Sequence, residues 1–285
     1  MKDNVASRST AGRPSDFSGR RVSGTSNPLI REALKIKEKR RKHREGVFIV
    51  EGPHLVEMAH ASPIADLKHV FFTEEFSSSG GGRQLLKLLK ETSVKLVETS
   101  RRVIERLADT ETPQGIAAVL SLKTVALDAI SPKNIPLLVI CDGIQDPGNI
   151  GTIIRASDAA GADAVLLTPG TCDPFMPKAI RASAGSIFTV PVLFAEIEEL
   201  IEFLSDRRIM LYGADVHASR SLYETDFRTP VAVVFGNEAH GIGAVLLKKS
   251  GLLFRIPVIG RAESLNVAMA VSVCLYEAAR QRLIF

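Results

Sequence analysis

Tryptophan is absent from this 285-residue chain and tyrosine occurs three times, so no aromatic platform for stacking single-stranded nucleic acid is expected. Cysteine is scarce too. Cys141, Cys172 and Cys274 show no CxxC spacing and cannot all pair, which argues against a disulfide scaffold or a zinc knuckle and points to a reducing cytoplasm. No run of about 18 apolar residues occurs, so no transmembrane helix is expected. The opening stretch, MKDNVASRSTAGRPSD, lacks the apolar core of a secretory signal. The six histidines are scattered, none in an HxxxH with an acidic helper, so no metal is expected. A GxSxG elbow is missing, which disfavours a hydrolase triad.

What is present is a globular composition, 45% hydrophobic and 24% charged, with room for one large or two ordinary domains. The net charge is only +4, but it is unevenly spread. Residues 1–133 carry 23 Lys and Arg against 16 Asp and Glu, whereas residues 134–285 carry 13 against 16. That asymmetry suggests one part that meets a polyanion and another with a different task.

Residues 1–26 read as a disordered tail, poor in sizeable hydrophobes. A first α/β unit of about 100 residues is expected over 27–122. A helical pattern from Leu29 runs into KIKEKRRKHRE, followed by strands VFIVE (47–51), HVFF (69–72) and VKLVE (94–98). Between the last two, SSSGGG (77–82) reads as a loop before a helix at 83–91, and GIAAVLSL (115–122) closes the unit. Residues 123–135 read as a linker. Beyond it, PLLVICD (136–142), AVLLTP (164–169), FTVPV (188–192), IMLYGA (209–214) and VAVVFG (231–236) are continuous apolar runs. Such runs suit a parallel sheet covered on both faces. Helices are expected at 149–161, 177–184, 195–207, 239–249 and 265–283.

The run REALKIKEKRRKHRE (31–45) holds eight basic residues against three glutamates. Read blandly it is a solvated helix. Yet Lys39, Arg40, Arg41, Lys42 and Arg44 crowd two turns and would repel one another unless phosphates neutralised them. DGIQDPGNIGTIIRAS (142–157) follows a buried run, but its glycines at 143, 148 and 151 do not form GxGxxG. The turn still offers backbone N–H groups at a helix start. Asn149 and Arg155 lie six residues apart and can share a helix face only loosely. In VVFGNEAHGIG (233–243), Glu238 reads as a first-turn residue that complements a helix dipole. Ser264, before the last apolar helix, reads as its N-cap.

Taken in order and spacing, NxxxxxR at Asn149–Arg155, GNExxG at Gly236–Gly241 and IPxxGxxESLNV at Ile256–Val267 resemble the three signature motifs of the SpoU (TrmH-type) RNA 2′-O-ribose methyltransferases. PKAIRASAGSIFTVPV (177–192) is also similar to that family. NPLIREALKI and FIVEG resemble the substrate-binding domain attached to bacterial members. The chain departs from the pattern at Ala239, where the family often has Gly, and at Ala268, where it often has Ser.

The resemblance implies S-adenosylmethionine as methyl donor, a parallel-sheet domain over 136–285 whose C-terminal stretch forms a trefoil knot, and a homodimer with its site near the subunit interface. It implies backbone contacts to the cofactor at Gly236, Ile256 and Leu265. Arg155 is the implied activator of the ribose hydroxyl, with Asn149, Glu238, Ser264 and Asn266 shaping the pocket. A guanidinium with pKa above about 12 is a poor base, so charge stabilisation of the forming alkoxide is the role expected of Arg155. Arg40, Arg41, Lys42, Arg44 and Arg181 are the expected RNA contacts. Ribosomal RNA is the expected substrate. A transfer RNA, a catalytically silent RNA-binding protein and an ordinary nucleotide-dependent α/β enzyme stand as alternatives.

Overall fold

Four consecutive apolar residues in VFIVE give a strand that is covered on both faces. In the computed structural model, which describes residues 27–38, 47–123, 126–130 and 135–283, this is β1 (Val47–Glu51). It joins β2 (Ala65–Phe72), β3 (Lys95–Glu98) and β4 (Ile116–Leu122) in a sheet of order β1-β4-β2-β3. Pairing is antiparallel except between β2 and β3. Around it lie α1 (Pro28–Glu38), α2 (Pro53–Ala61), α3 (Glu74–Ser78), α4 (Gly80–Lys90) and α5 (Arg101–Leu107).

SSSGGG is not a loop. Ser77 and Ser78 end α3, and the three glycines begin α4, capped by the Ser79 hydroxyl, which accepts from Gly82 N–H at 3.0 Å. Gly82 is required there, because a Cβ would stand 1.9 Å from the Phe76 carbonyl oxygen. Composition alone suggested a loop; packing of two helices end to end explains the glycine instead.

The second sheet contains β5 (Leu137–Cys141), β6 (Ala164–Leu167), β7 (Val192–Phe194), β8 (Met210–Ala214), β9 (Arg220–Ser221), β10 (Val231–Phe235) and β11 (Leu252–Arg255). Its order is β7-β6-β5-β10-β8-β11-β9, and every pairing is parallel. β5 and β10 are buried at all positions, as a sheet sandwiched between helices requires. On one face, α6 (Pro147–Ala159), α7 (Pro177–Ser183) and α10 (Val267–Leu283) pack on Val139, Val233 and Phe235. On the other, α8 (Ile197–Asp206) and α9 (Ala244–Lys249) pack on Ile140, Ala232 and Val234. From β11 the chain therefore passes through residues 256–266 to the face opposite α9.

Two expectations fail here. FTVPV is no single strand: Ser186–Phe188 is a 3-10 turn and the strand starts at Val192. The helix expected from 239 begins at Ala244, because Asn237 and Gly241 exchange backbone hydrogen bonds of 2.9 Å and close residues 237–241 into a turn.

The two sheets share one apolar core. Phe48 of β1 stacks on Phe175 at 5.2 Å and lies 6.4 Å from Phe188. The Ser62 hydroxyl donates to the Phe188 carbonyl at 2.6 Å, and His54 Nε2 lies 3.1 Å from the Ala184 oxygen. Gly185, at φ +97°, lets the chain turn against Met58.

Candidate active site

The C-terminal ends of β5 and β10 are adjacent, so the loops that follow them meet. Asp146 and Pro147 start α6: the Asp146 carboxylate accepts from Asn149 N–H at 3.0 Å, and Pro147 occupies the first helical position. Lys178 of α7 donates to the other Asp146 oxygen at 2.6 Å. That hydrogen bond, with the one from the Asn149 backbone, holds the carboxyl below its usual range. The opening of α6 is thereby fixed.

Asn149 faces the loop after β10. Its amide nitrogen donates to Glu238 Oε1 at 2.8 Å, and its oxygen accepts from Asn266 Nδ2 at 3.0 Å. One residue from each of the three motif segments is thus joined in a single hydrogen-bonded chain. Asn266, not Ser264, caps α10, accepting from Ala268 and Met269 N–H. Ser264 lies two residues outside that cap, exposed, in the 256–266 loop. Glu238 sits in the 237–241 turn rather than in a helix, so it serves no helix dipole.

Arg155 is exposed on α6, and nothing pairs with it among the described residues. Six residues beyond Asn149, it stands about 9 Å further along the axis and is rotated by about 240°. Within one chain it does not join the Asn149–Glu238–Asn266 group. Arg181 is exposed on α7, which packs beside α6. Arg40, Arg41, Lys42 and Arg44 lie outside the described residues.

Several residues that pattern reading passed over hold these loops. Asp142, buried at the end of β5, accepts from the Thr168 hydroxyl at 2.6 Å and from Gly243 N–H at 2.7 Å. Asn237 donates to the Gly143 carbonyl at 2.7 Å and accepts from Ala239 and His240 N–H. Gly143 N–H donates to Thr171 Oγ1 at 3.0 Å, and Gln145 Nε2 donates to the Gly170 carbonyl. The available signal was a carboxylate closing an apolar run directly before a glycine, a costly place to leave a charge unpaired. Cys141 and Cys172 lie nearby, but burial pushes both thiols up, Cys172 to about 11, so neither is a nucleophile at neutral pH.

The loops fit a nucleoside-bearing cofactor. Gly236 closes the 237–241 turn, since a Cβ there would stand 2.1 Å from the Gly241 backbone. Gly241 and Gly260 have no heavy atom within 4 Å of a Cβ position, which leaves loop backbone open to a ligand. Ile259 is 99% exposed, and Val258 and Leu265 are also exposed; Ile256 is half-buried against the core. Apolar side chains and open backbone on adjoining loops are the groups an adenosine moiety needs.

A parallel sheet with polar side chains converging beyond its strand ends defines an α/β enzyme with its site at the carboxyl edge. Residues 136–276 match the SpoU rRNA Methylase family, and residues 27–118 match the MRM3-like substrate binding domain. The chain is 33% identical to the 23S rRNA (guanosine(2553)-2′-O)-methyltransferase RlmP of Bacillus subtilis over 90% of its length and 98% of that protein's. It is 31% identical to a 23S rRNA (uridine(2479)-2′-O)-methyltransferase of Streptomyces viridochromogenes, covering 85% and 86%. Its fold resembles the crystal structure of the SpoU methyltransferase AviRb from Streptomyces viridochromogenes in complex with AdoMet, with TM-score 0.81, 29% identity and coverage of 90% and 99%. The chain belongs to the SpoU rRNA methylase family. It is a methyltransferase of that family and uses S-adenosylmethionine.

Proposed function

We propose that the acceptor is a ribose 2′-hydroxyl of ribosomal RNA. The observation that carries this reading is the Asn149–Glu238–Asn266 chain, which joins the start of α6, the 237–241 turn and the cap of α10. S-adenosylmethionine, when bound, supplies an electrophilic methyl group. Gly236, Ile256 and Leu265 hold it, Asn149, Glu238, Ser264 and Asn266 orient the acceptor, and Arg155 stabilises the alkoxide as the hydroxyl proton leaves to water or a phosphate oxygen. Arg40, Arg41, Lys42, Arg44 and Arg181 contact the RNA backbone.

A substrate-binding unit over 27–122, a linker over 123–135 and a knotted catalytic domain over 136–285 divide the work, in the cytoplasm. The crossing from α9 to α10 on opposite faces supports the trefoil knot. A homodimer is supported by α10, whose Met269, Val273 and Tyr276 project from one face and are exposed. A second copy covering that face brings its own α6 toward the site.

The test is a map of ribose methylation in ribosomal RNA from cells with and without the protein. One lost 2′-O-methyl mark is expected; an unchanged map overturns the reading. In vitro, Arg155→Lys is expected to lower turnover at least about tenfold; unchanged turnover removes any role for the planar fork.

A further inference from the structure

Between the two sheets lies a cleft of about 490 Å³, within the size range of small-molecule sites. Leu122 of β4 and Ile64, the residue before β2, contribute from the N-terminal side, Leu167 of β6 and Leu193 of β7 from the second sheet, and Phe175 from the turn between β6 and α7. It opens at the carboxyl ends of β6 and β7, the same edge of the sheet as Asp142 and Gly236. Its wall at Gly170–Thr171 is the turn that Gly143 and Gln145 hold, and Cys172 N–H donates to the Ile144 carbonyl at 2.9 Å. The cleft and the methyl-transfer site therefore share a wall.

Three features equip the cleft for a flat heterocycle. Phe194 also lines it and leaves 51% of its surface open. The absence of tryptophan concealed this aromatic shelf from composition. β7 is an edge strand, and its ladder to β6 uses Pro191 O and Ala195 N–H. Alternation then places the main-chain groups of Phe194 on the unpaired edge. Finally, the rim carries Glu196, Glu199 and Lys123, whose ammonium donates to the Pro63 carbonyl at 3.1 Å.

We propose that this cleft binds one unpaired guanine of the RNA strand, adjoining the nucleotide whose ribose is methylated; the proposal rests on the RNA reading above. Phe194 stacks on the base. A carboxylate of Glu199 or Glu196 accepts from guanine N1–H and the 2-amino group, and O6 accepts from Lys123 or the Phe194 N–H. No other common base presents two adjacent donors beside an acceptor on its pairing edge. The acidic rim also explains why a base, and not a phosphate, is the group taken up.

The experiment titrates the full-length protein with GMP, AMP, CMP and UMP by heteronuclear NMR, then measures methylation kinetics on ribosomal RNA. GMP is expected to bind at least about tenfold more tightly than the others, and Glu199→Gln together with Glu196→Gln to abolish that preference. Phe194→Ala is expected to raise KM for RNA about tenfold, with melting temperature and cofactor titration reporting an intact fold. Equal binding of all four nucleotides, no binding, or an unchanged KM in a folded Phe194→Ala variant overturns the proposal. Methylation of RNA without GMP preference sinks this site alone. GMP preference without methyl transfer to RNA sinks the RNA reading and leaves the guanine specificity standing.

Discussion

Asp142 ties two loops with one carboxylate, and its removal should show what that is worth. Asp142→Ala leaves Gly243 N–H without its acceptor and the Thr168 hydroxyl with only the Cys141 carbonyl at 3.5 Å, which costs about 1–3 kcal/mol and frees the loop bearing Glu238. A lowered urea midpoint and roughly tenfold weaker cofactor binding by calorimetry are expected. Asp142→Asn can still offer an oxygen to Gly243 and an amide to Thr168, so its effect should stay below about threefold. Equal damage from both variants would show that charge, not hydrogen-bond geometry, is what the loops need. Asn149 makes a sharper case. In N149D a carboxylate replaces the amide that lies 2.8 Å from Glu238 Oε1. Two like charges so close cannot both ionise at neutral pH without strong repulsion, and the pair titrates at a raised pH. Turnover should drop about 100-fold at pH 7 and partly recover as pH falls and one carboxyl regains a proton to donate. The N149D/E238Q double variant restores a donor opposite an acceptor and should recover most of the loss; a pH-rate profile of all three proteins checks this.

At the level of elements, the crossing of α6 and α7 fixes where Asn149 stands. A Cβ at Gly151 would lie 2.2 Å from the Ala179 carbonyl oxygen and 2.7 Å from the Ala182 Cβ. Gly151→Ala must therefore push the helices apart, at a cost of about 1–3 kcal/mol or more. It should also separate Lys178 from Asp146, so chemical denaturation and turnover are expected to fall together. The sequence made the frame of these elements readable. The apolar runs of β5, β6, β8 and β10 are long, uniform and bounded by turn residues, so burial on both faces announced the parallel sheet. What stayed hidden depends on partners distant in the chain. β9 has two residues, too few for a periodic signal, and is a strand only through its pairing with β11. β7 begins only at Val192, the last residue of the FTVPV run, because Ser186–Phe188 closes into a 3-10 turn. Gly82 of α4 and Gly236 beside the 237–241 turn obey close approaches that no local propensity encodes. In the site, Asn149, Glu238 and Asn266 were legible as motif positions, but their mutual hydrogen bonds, and the holding roles of Asp142 and Asn237, needed the fold.

For the whole molecule, the placement of Arg155 is decisive. It is exposed, unpaired among the described residues, and turned away from the Asn149 group on the same helix. In this chain α6 sets the two about 9 Å apart along its axis and about 240° apart around it. A two-fold partner on the exposed Met269–Val273–Tyr276 face of α10, which packs beside α6, can supply the arginine from outside. Subunit complementation tests this directly. Arg155→Ala and Asn149→Ala are each expected to be inactive alone. In a heterodimer of the two, composite sites sort unevenly: one site collects both substitutions and the other collects neither. After subunit exchange at equal concentrations, half of the dimers are mixed and each carries one intact site of two, so about a quarter of wild-type turnover should return. If each chain builds its own site, every site in the mixture lacks one of the two residues and no activity returns. Val273→Asp in both chains should abolish the recovery by keeping the protein monomeric, which sedimentation can verify.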